Sequence, residues 1–262
     1  MKYIKLLSIV ALSLAMAGCS VETSDGPQSQ SNAGTGIDIA KITSWPSDEI
    51  ERSSIGSGVM DNNDGDRLVR NNVIIVLDNS GSMSDAQCSG SFPNKSLAAE
   101  SAIMEHLTTA DPNTNYGLVT FDENGINVSV PLQPLNPTAF RIALDKSSPA
   151  GGTPLRQAIS LGYDELLTQG SLQRGIGTYQ IMVVTDGEVQ SRNDDPSPLI
   201  RRLVNETPVG IIAAGFCISG SHSLNDPDRV TYSEAKRVED LTRAFEELSA
   251  ESDIFGIDQS TF

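Results

Sequence analysis

Basic residues are scarce in this chain. Lysine and arginine number 18 against 34 aspartates and glutamates, a formal charge of −16, and nowhere do they cluster. Nucleic acid is thereby excluded as a partner, because phosphate binding needs grouped positive side chains. Histidine is nearly absent: His106 falls in a helical stretch and His222 in a Ser- and Asp-rich loop, with no paired ligand spacing around either. A zinc site is not indicated, and surface or partly buried roles are expected for both rings. The apolar run at the amino terminus, Leu6 to Met16, is too short to span a bilayer as a permanent helix. Cysteine occurs three times, as Cys19, Cys88 and Cys217, and there is no internal repeat.

The chain starts with Lys2 and Lys5, the apolar core just named, and then Ala17-Gly18-Cys19. This is the pattern of a bacterial export signal. Small residues directly before a cysteine resemble a lipobox, which implies removal of residues 1–18 and attachment of lipid to Cys19, although Met16 stands where leucine is more usual. A plain signal peptide with an incidental Cys19 is the alternative. Ser20, where an Asp would argue for inner-membrane retention, points to an outer membrane if the cell has one. Loss of Lys2 and Lys5 would move the charge from −16 to −18.

Residues 19–66 are dominated by Ser, Gly, Asn, Asp and Gln, with Trp45 and Ile50 as isolated apolar points. Such a stretch cannot bury enough surface to fold alone, so a flexible polar tether is expected there. Residues 67–252 suit one domain, and 253–262 form a short tail carrying Ile254, Phe255 and Phe262. The run Asp61-Asn62-Asn63-Asp64-Gly65-Asp66 looks like a calcium loop, but its Gly falls one position early and the closing Glu is missing. A solvated acidic turn is the better reading, since an acidic surface attracts divalent cations without any specific site.

From Val73 onward, apolar runs alternate with amphipathic segments. Strands are expected at Val73 to Leu77, Tyr116 to Phe121, Ile126 to Val130, Ile181 to Thr185 and Val209 to Phe216, several of them apolar throughout, as a sheet buried on both faces requires. Helices are expected at Leu97 to Leu107, Thr138 to Leu144, Leu155 to Leu167 and Pro198 to Val204. In the third, Thr153 can cap, Pro154 suits the first turn, and Leu155, Ala158, Ile159, Gly162 and Leu166 share a face. A short strand near Thr231 to Ala235 and a closing helix from Val238 to Leu248 complete the series. This predicts an open, mostly parallel α/β sheet with helices on both faces and functional loops at the carboxyl ends of the strands.

The first core strand runs into Asp78-Asn79-Ser80-Gly81-Ser82. One carboxylate and two hydroxyls at alternate positions, with Gly81 allowing a tight turn, form a pattern that can gather oxygens on a metal ion. Alone it is an ordinary polar turn. Two later segments, Gly151-Gly152-Thr153-Pro154 and Thr185-Asp186-Gly187, each place one more oxygen ligand on the same rim. With these residues, the chain from about Asn71 to Ser252 resembles a von Willebrand factor type A domain. Asp78, Ser80, Ser82, Thr153 and Asp186 match the five positions of that family's metal-ion-dependent adhesion site. The resemblance implies Mg²⁺ or Mn²⁺ held directly by Ser80 and Ser82, by Thr153 directly or through water, and by Asp78 and Asp186 mostly through water. Such an ion, poorly neutralised by its own protein, would take an Asp or Glu from a partner. Movement of the closing helix with the state of the site is a further property of some relatives.

Two enzyme classes compete. An aspartate-based phosphotransferase would want a second Asp where Ser80 stands. A thiol enzyme could be built on Gly215-Phe216-Cys217-Ile218-Ser219-Gly220 with His222 nearby, but Ser219 occupies the second glycine position of a nucleophile elbow. With Cys19 lipidated, Cys88 and Cys217 remain as an even pair in an oxidising compartment, both near the metal rim, and a disulfide explains them more simply. Thr185 and Glu188 flank Asp186 as ordinary turn residues that could join the ion's outer shell. The expected function is that of a non-enzymatic, lipid-anchored, metal-dependent protein-binding module of the cell envelope, for adhesion or complex assembly. The alternatives are a structural or regulatory envelope lipoprotein with a purely structural metal site, or an unassigned thiol enzyme.

Overall fold

Every residue of strand β1 (Asn72–Asp78) is buried, because this strand is covered on both faces and paired on both edges. The computed structural model describes residues 45–46, 69–187, 189, 191–218 and 222–254, with side chains described up to residue 246. Around β1 stand β2 (Asn115–Asp122), β3 (Gly125–Pro134), β4 (Tyr179–Thr185), β5 (Val209–Phe216) and β6 (Thr231–Ala235), in the order β3-β2-β1-β4-β5-β6. Neighbours are parallel except β2 and β3, which form an antiparallel edge. The result is the expected three-layer α/β sandwich.

Alternation along β1 divides the core in two. Val73, Ile75 and Leu77 pack with Ala98, Ala102 and Ile103 of α1 (Lys95–Thr109), Phe140 and Leu144 of α2 (Pro137–Leu144), and Leu241 and Phe245 of α5 (Val238–Ile254). Ile74 and Val76 face the other way, toward Leu155, Ala158 and Ile159 of α3 (Leu155–Leu172) and Ile200 and Leu203 of α4 (Ser197–Glu206). The period of two that sends successive side chains to opposite faces is what makes both layers necessary. Local chemistry sets the helix starts: Asn94 accepts a hydrogen bond from Leu97 N and Asn136 from Ala139 N, as N-cap residues do.

The elements extend beyond their sequence-predicted limits wherever polar residues continue a regular backbone. Helix α3 runs to Leu172 rather than Leu167, and β3 to Pro134 rather than Val130. The hydrophobic stripe marks the buried part of an element only. The expected cap also differs: no side chain caps α3, and Thr153 meets the helix through its carbonyl, which accepts from Leu155 N at 2.9 Å. Its hydroxyl is left for the rim above.

Trp45, read from the sequence as an isolated apolar point, is 6% exposed and belongs to the second core. Its ring meets Tyr179 edge-on at 4.9 Å and Tyr163 at 6.0 Å. A methyl group on Gly170 would come within 2.6 Å of the indole, so this glycine in α3 leaves room for it. The seat lies at the amino-terminal end of β4, the opposite pole from the strand ends that carry Asp78 and Asp186. His106 is likewise inside, at 4% exposure, stacked on Phe245 and hydrogen bonded to the Tyr116 hydroxyl at 3.3 Å. Burial lowers its imidazole to about 4.

Cys19, the segment 1–18, the Asp61–Asp66 run, Glu188 and the tail beyond Ile254 lie outside the described residues. Among those described, no helix is long and apolar enough to cross a membrane.

Candidate functional site

Asp78 is the last residue of β1 and is fully buried. Its Oδ1 accepts from Ser80 N at 2.8 Å and its Oδ2 from the Thr185 hydroxyl at 2.6 Å. Burial pushes its carboxyl up to about 6, against the lowering pull of the hydrogen bonds from Ser80 and Thr185, with the nearby Asp186 charge adding to the rise. A carboxylate held this way has both oxygens committed to the ends of β1 and β4.

Beyond Asp78 the chain turns into a short 3-10 segment, Gly81–Ser84, anchored by buried Met83. Ser80 and Ser82 point the same way, their hydroxyl oxygens 3.2 Å apart. Ser82 donates to Asp186 Oδ1 at 2.7 Å. The third loop is tied in by backbone bonds: Gly81 N donates to Gly151 O at 3.1 Å and Ala150 N to Asn79 O at 3.0 Å. Gly151 has φ +85, a left-handed conformation that L side chains rarely adopt. Gly81 does not need that freedom; its part is close approach to the Gly151 carbonyl. A Cβ placed on Gly187 would sit 3.7 Å from Ser82 Oγ and 3.9 Å from Thr153 Oγ1, so those two hydroxyls open onto one small space.

The three loops thus bring together the five residues expected on the rim. Their donor set is hard oxygen. Among the described residues no group of three His, Cys, Asp or Glu could hold a metal, so an ion here would lean on hydroxyls. Side chains of this kind fit a magnesium-like cation that keeps much of its water.

Two more residues belong to the site and were not foreseen. Lys95, 5% exposed, places its ammonium on Asp186 Oδ2. His222, 6% exposed, meets Gly187 O through Nε2 at 2.6 Å, while its Nδ1 accepts from Leu224 N at 3.1 Å. A ring nitrogen that accepts from the backbone fixes the tautomer, so Nε2 carries the proton and donates. The bond steadies the residue that follows Asp186. The one signal for Lys95 was a cation at the first helical position, where the helix dipole disfavours it; the sequence around His222 carried none.

Cys88 and Cys217 are joined, with Cα atoms 5.8 Å apart across 129 residues of chain. The bridge ties the loop after Ser82 to the end of β5, and it removes Cys217 as a nucleophile in this structure.

Residues 73–188 match the family model of the von Willebrand factor type A domain. No curated protein matches the chain in sequence. Among solved structures it is similar to a von Willebrand factor type A protein from Catenulispora acidiphila, with TM-score 0.56 and 20% identity over 70% of this chain and 43% of that one. It is similar also to the pilus adhesin SpaC from Lactobacillus rhamnosus GG, with TM-score 0.53 and 14% identity over 70% of this chain and 30% of the other. The vWF domain of the type V pili tip protein Mfa5 from Porphyromonas gingivalis gives TM-score 0.54 and 10% identity over 74% of this chain and 98% of the other. The chain therefore spans less than half of the first two proteins and nearly all of the third. At these identities the likeness is one of fold.

Proposed function

We propose that this protein is a divalent-metal-dependent protein-binding module, for adhesion or complex assembly, held at the cell envelope by lipid on Cys19. The observation that carries the reading is the convergence of Ser80, Ser82 and Thr153 hydroxyls with Asp78 and Asp186 on one rim. In this reading Ser80, Ser82 and Thr153 hold Mg²⁺ or Mn²⁺, and Asp78 and Asp186 orient its waters. The ion supplies a positive point to which a partner's Asp or Glu binds. The Asp186 loop is kept in place by His222, and the Ser82 loop by the disulfide. No step of bond making or breaking is required of any residue.

Fold relatives among pilus proteins support an adhesive role at an outer surface, and the export signal supports an envelope location. The test is a pull-down from envelope extracts in Mg²⁺ and in EDTA, with natural protein and Asp78→Ala. A partner retained in Mg²⁺ and lost in EDTA and in the variant supports the reading. Equal capture under all three conditions overturns it.

A further inference from the structure

Lys95 opens α1, where the aligned peptide dipoles oppose a positive charge, and it is almost wholly buried. Buried lysines are rare and are found paired. This one is paired with Asp186, whose side chain is fully buried; the other oxygen of that carboxylate takes the Ser82 hydroxyl. The backbone secures the position, since Lys95 N donates to Asp85 O at 2.9 Å and the neighbouring Asn94 caps the helix. A positive charge is thus built onto one of the two rim carboxylates at a place where the helix itself gains nothing from it.

We propose that Lys95 sets the ligand preference of the rim, weakening its hold on a divalent cation while making the loaded rim demand an anion. The inference rests on the metal-dependent reading above. With Asp78 and Asp186 ionised, their two negative charges equal those of a divalent ion, and the loaded rim would be neutral. The Lys95 ammonium adds one positive charge, which a single carboxylate from outside cancels. The same charge that repels the ion attracts the acid, so its removal moves the two affinities in opposite directions. If Lys95 did no more than position Asp186, its loss would weaken both.

The experiment uses the full chain, natural and Lys95→Met, with Lys95→Gln as a second variant should the first not fold. Free Mn²⁺ is followed by electron paramagnetic resonance to give the metal affinity. Acetate is then titrated into the Mn²⁺-loaded protein, and displacement of metal-bound water is read from proton relaxation. The expected result is Mn²⁺ affinity about tenfold tighter and acetate affinity about tenfold weaker in the variant, each step of ten being about 1.4 kcal/mol. Unchanged affinities, or changes in the same direction, overturn the role of Lys95 while leaving the metal reading intact. Failure of both natural protein and variants to bind Mn²⁺ or Mg²⁺ overturns the two together.

Discussion

The Thr185 hydroxyl donates to Asp78 Oδ2 at 2.6 Å, joining the ends of β4 and β1. Thr185→Val keeps the branched shape and removes the donor. Asp78 then keeps its hydrogen bonds from Ser80, including the amide at 2.8 Å, but its Oδ2 loses the Thr185 donor. A buried acceptor left short of a partner costs about 1–3 kcal/mol. Urea unfolding in EDTA should show a loss of that order, and the rise in melting temperature on adding Mg²⁺ should shrink. An unchanged Mg²⁺ response would show that Asp78 does not depend on Thr185 for its orientation.

The disulfide joins cysteines 129 positions apart and so encloses most of the domain. Loops of that size give bridges worth about 2–5 kcal/mol. Cys88→Ser with Cys217→Ser should lower stability by that order, measured by denaturant unfolding with and without reductant, and reductant should no longer affect the double variant. Thiol labelling of non-reduced natural protein should leave both cysteines unmodified.

Trp45 is the single tryptophan of the chain, so its fluorescence reports its own seat. Trp45→Ala removes an aromatic side chain from the second core and should cost about 3–5 kcal/mol. Gly170→Ala keeps the tryptophan but puts a methyl group into the space its ring fills. Its emission should shift to longer wavelength as the indole moves toward water. Blue-shifted emission identical to natural protein would mean that the ring does not pack on Gly170.

His106 gives the domain an acid-sensitive limb. Its imidazole titrates near 4 in the folded protein against an ordinary 6.5, because burial penalises the charged ring. Between those values the unfolded chain binds the extra proton, so the contribution is fully present above pH 6.5 and is lost as pH falls toward 4. It amounts to about 3 kcal/mol. Chemical denaturation at pH 7 and pH 4.5 should show natural protein losing more stability than His106→Gln over the same interval. Equal losses would show that another group governs the acid limb.

The parts legible in sequence were those with local signatures. Continuous apolar strands named β1, β4 and β5, and the Asp78-Asn79-Ser80-Gly81-Ser82 turn, followed by Thr153 and Asp186, named the rim. Lys95 and His222 escaped because each matters through a contact with residues far along the chain: Lys95 reaches Asp186, 91 positions away, and His222 reaches Gly187, 35 positions away. Trp45 escaped for another reason. A lone apolar residue in a polar stretch has no periodicity, and the clue to its burial was a glycine more than a hundred residues later. Thr153 reads from the sequence both as a cap and as a rim residue, and only the cap is ruled out, because no side chain caps α3.

The seat of Trp45 at the pole opposite the rim has a mechanical consequence. A pull between the Trp45 end of the domain and a molecule held at Ser80, Ser82 and Thr153 would run along the strands. Strand β1 is laced to β2 over seven paired positions and to β4 over six. Force along such a pairing loads the hydrogen bonds in shear, all together, whereas force across it would open them one after another. Tension between those two poles would therefore be shared by all the hydrogen bonds of these two pairings at once.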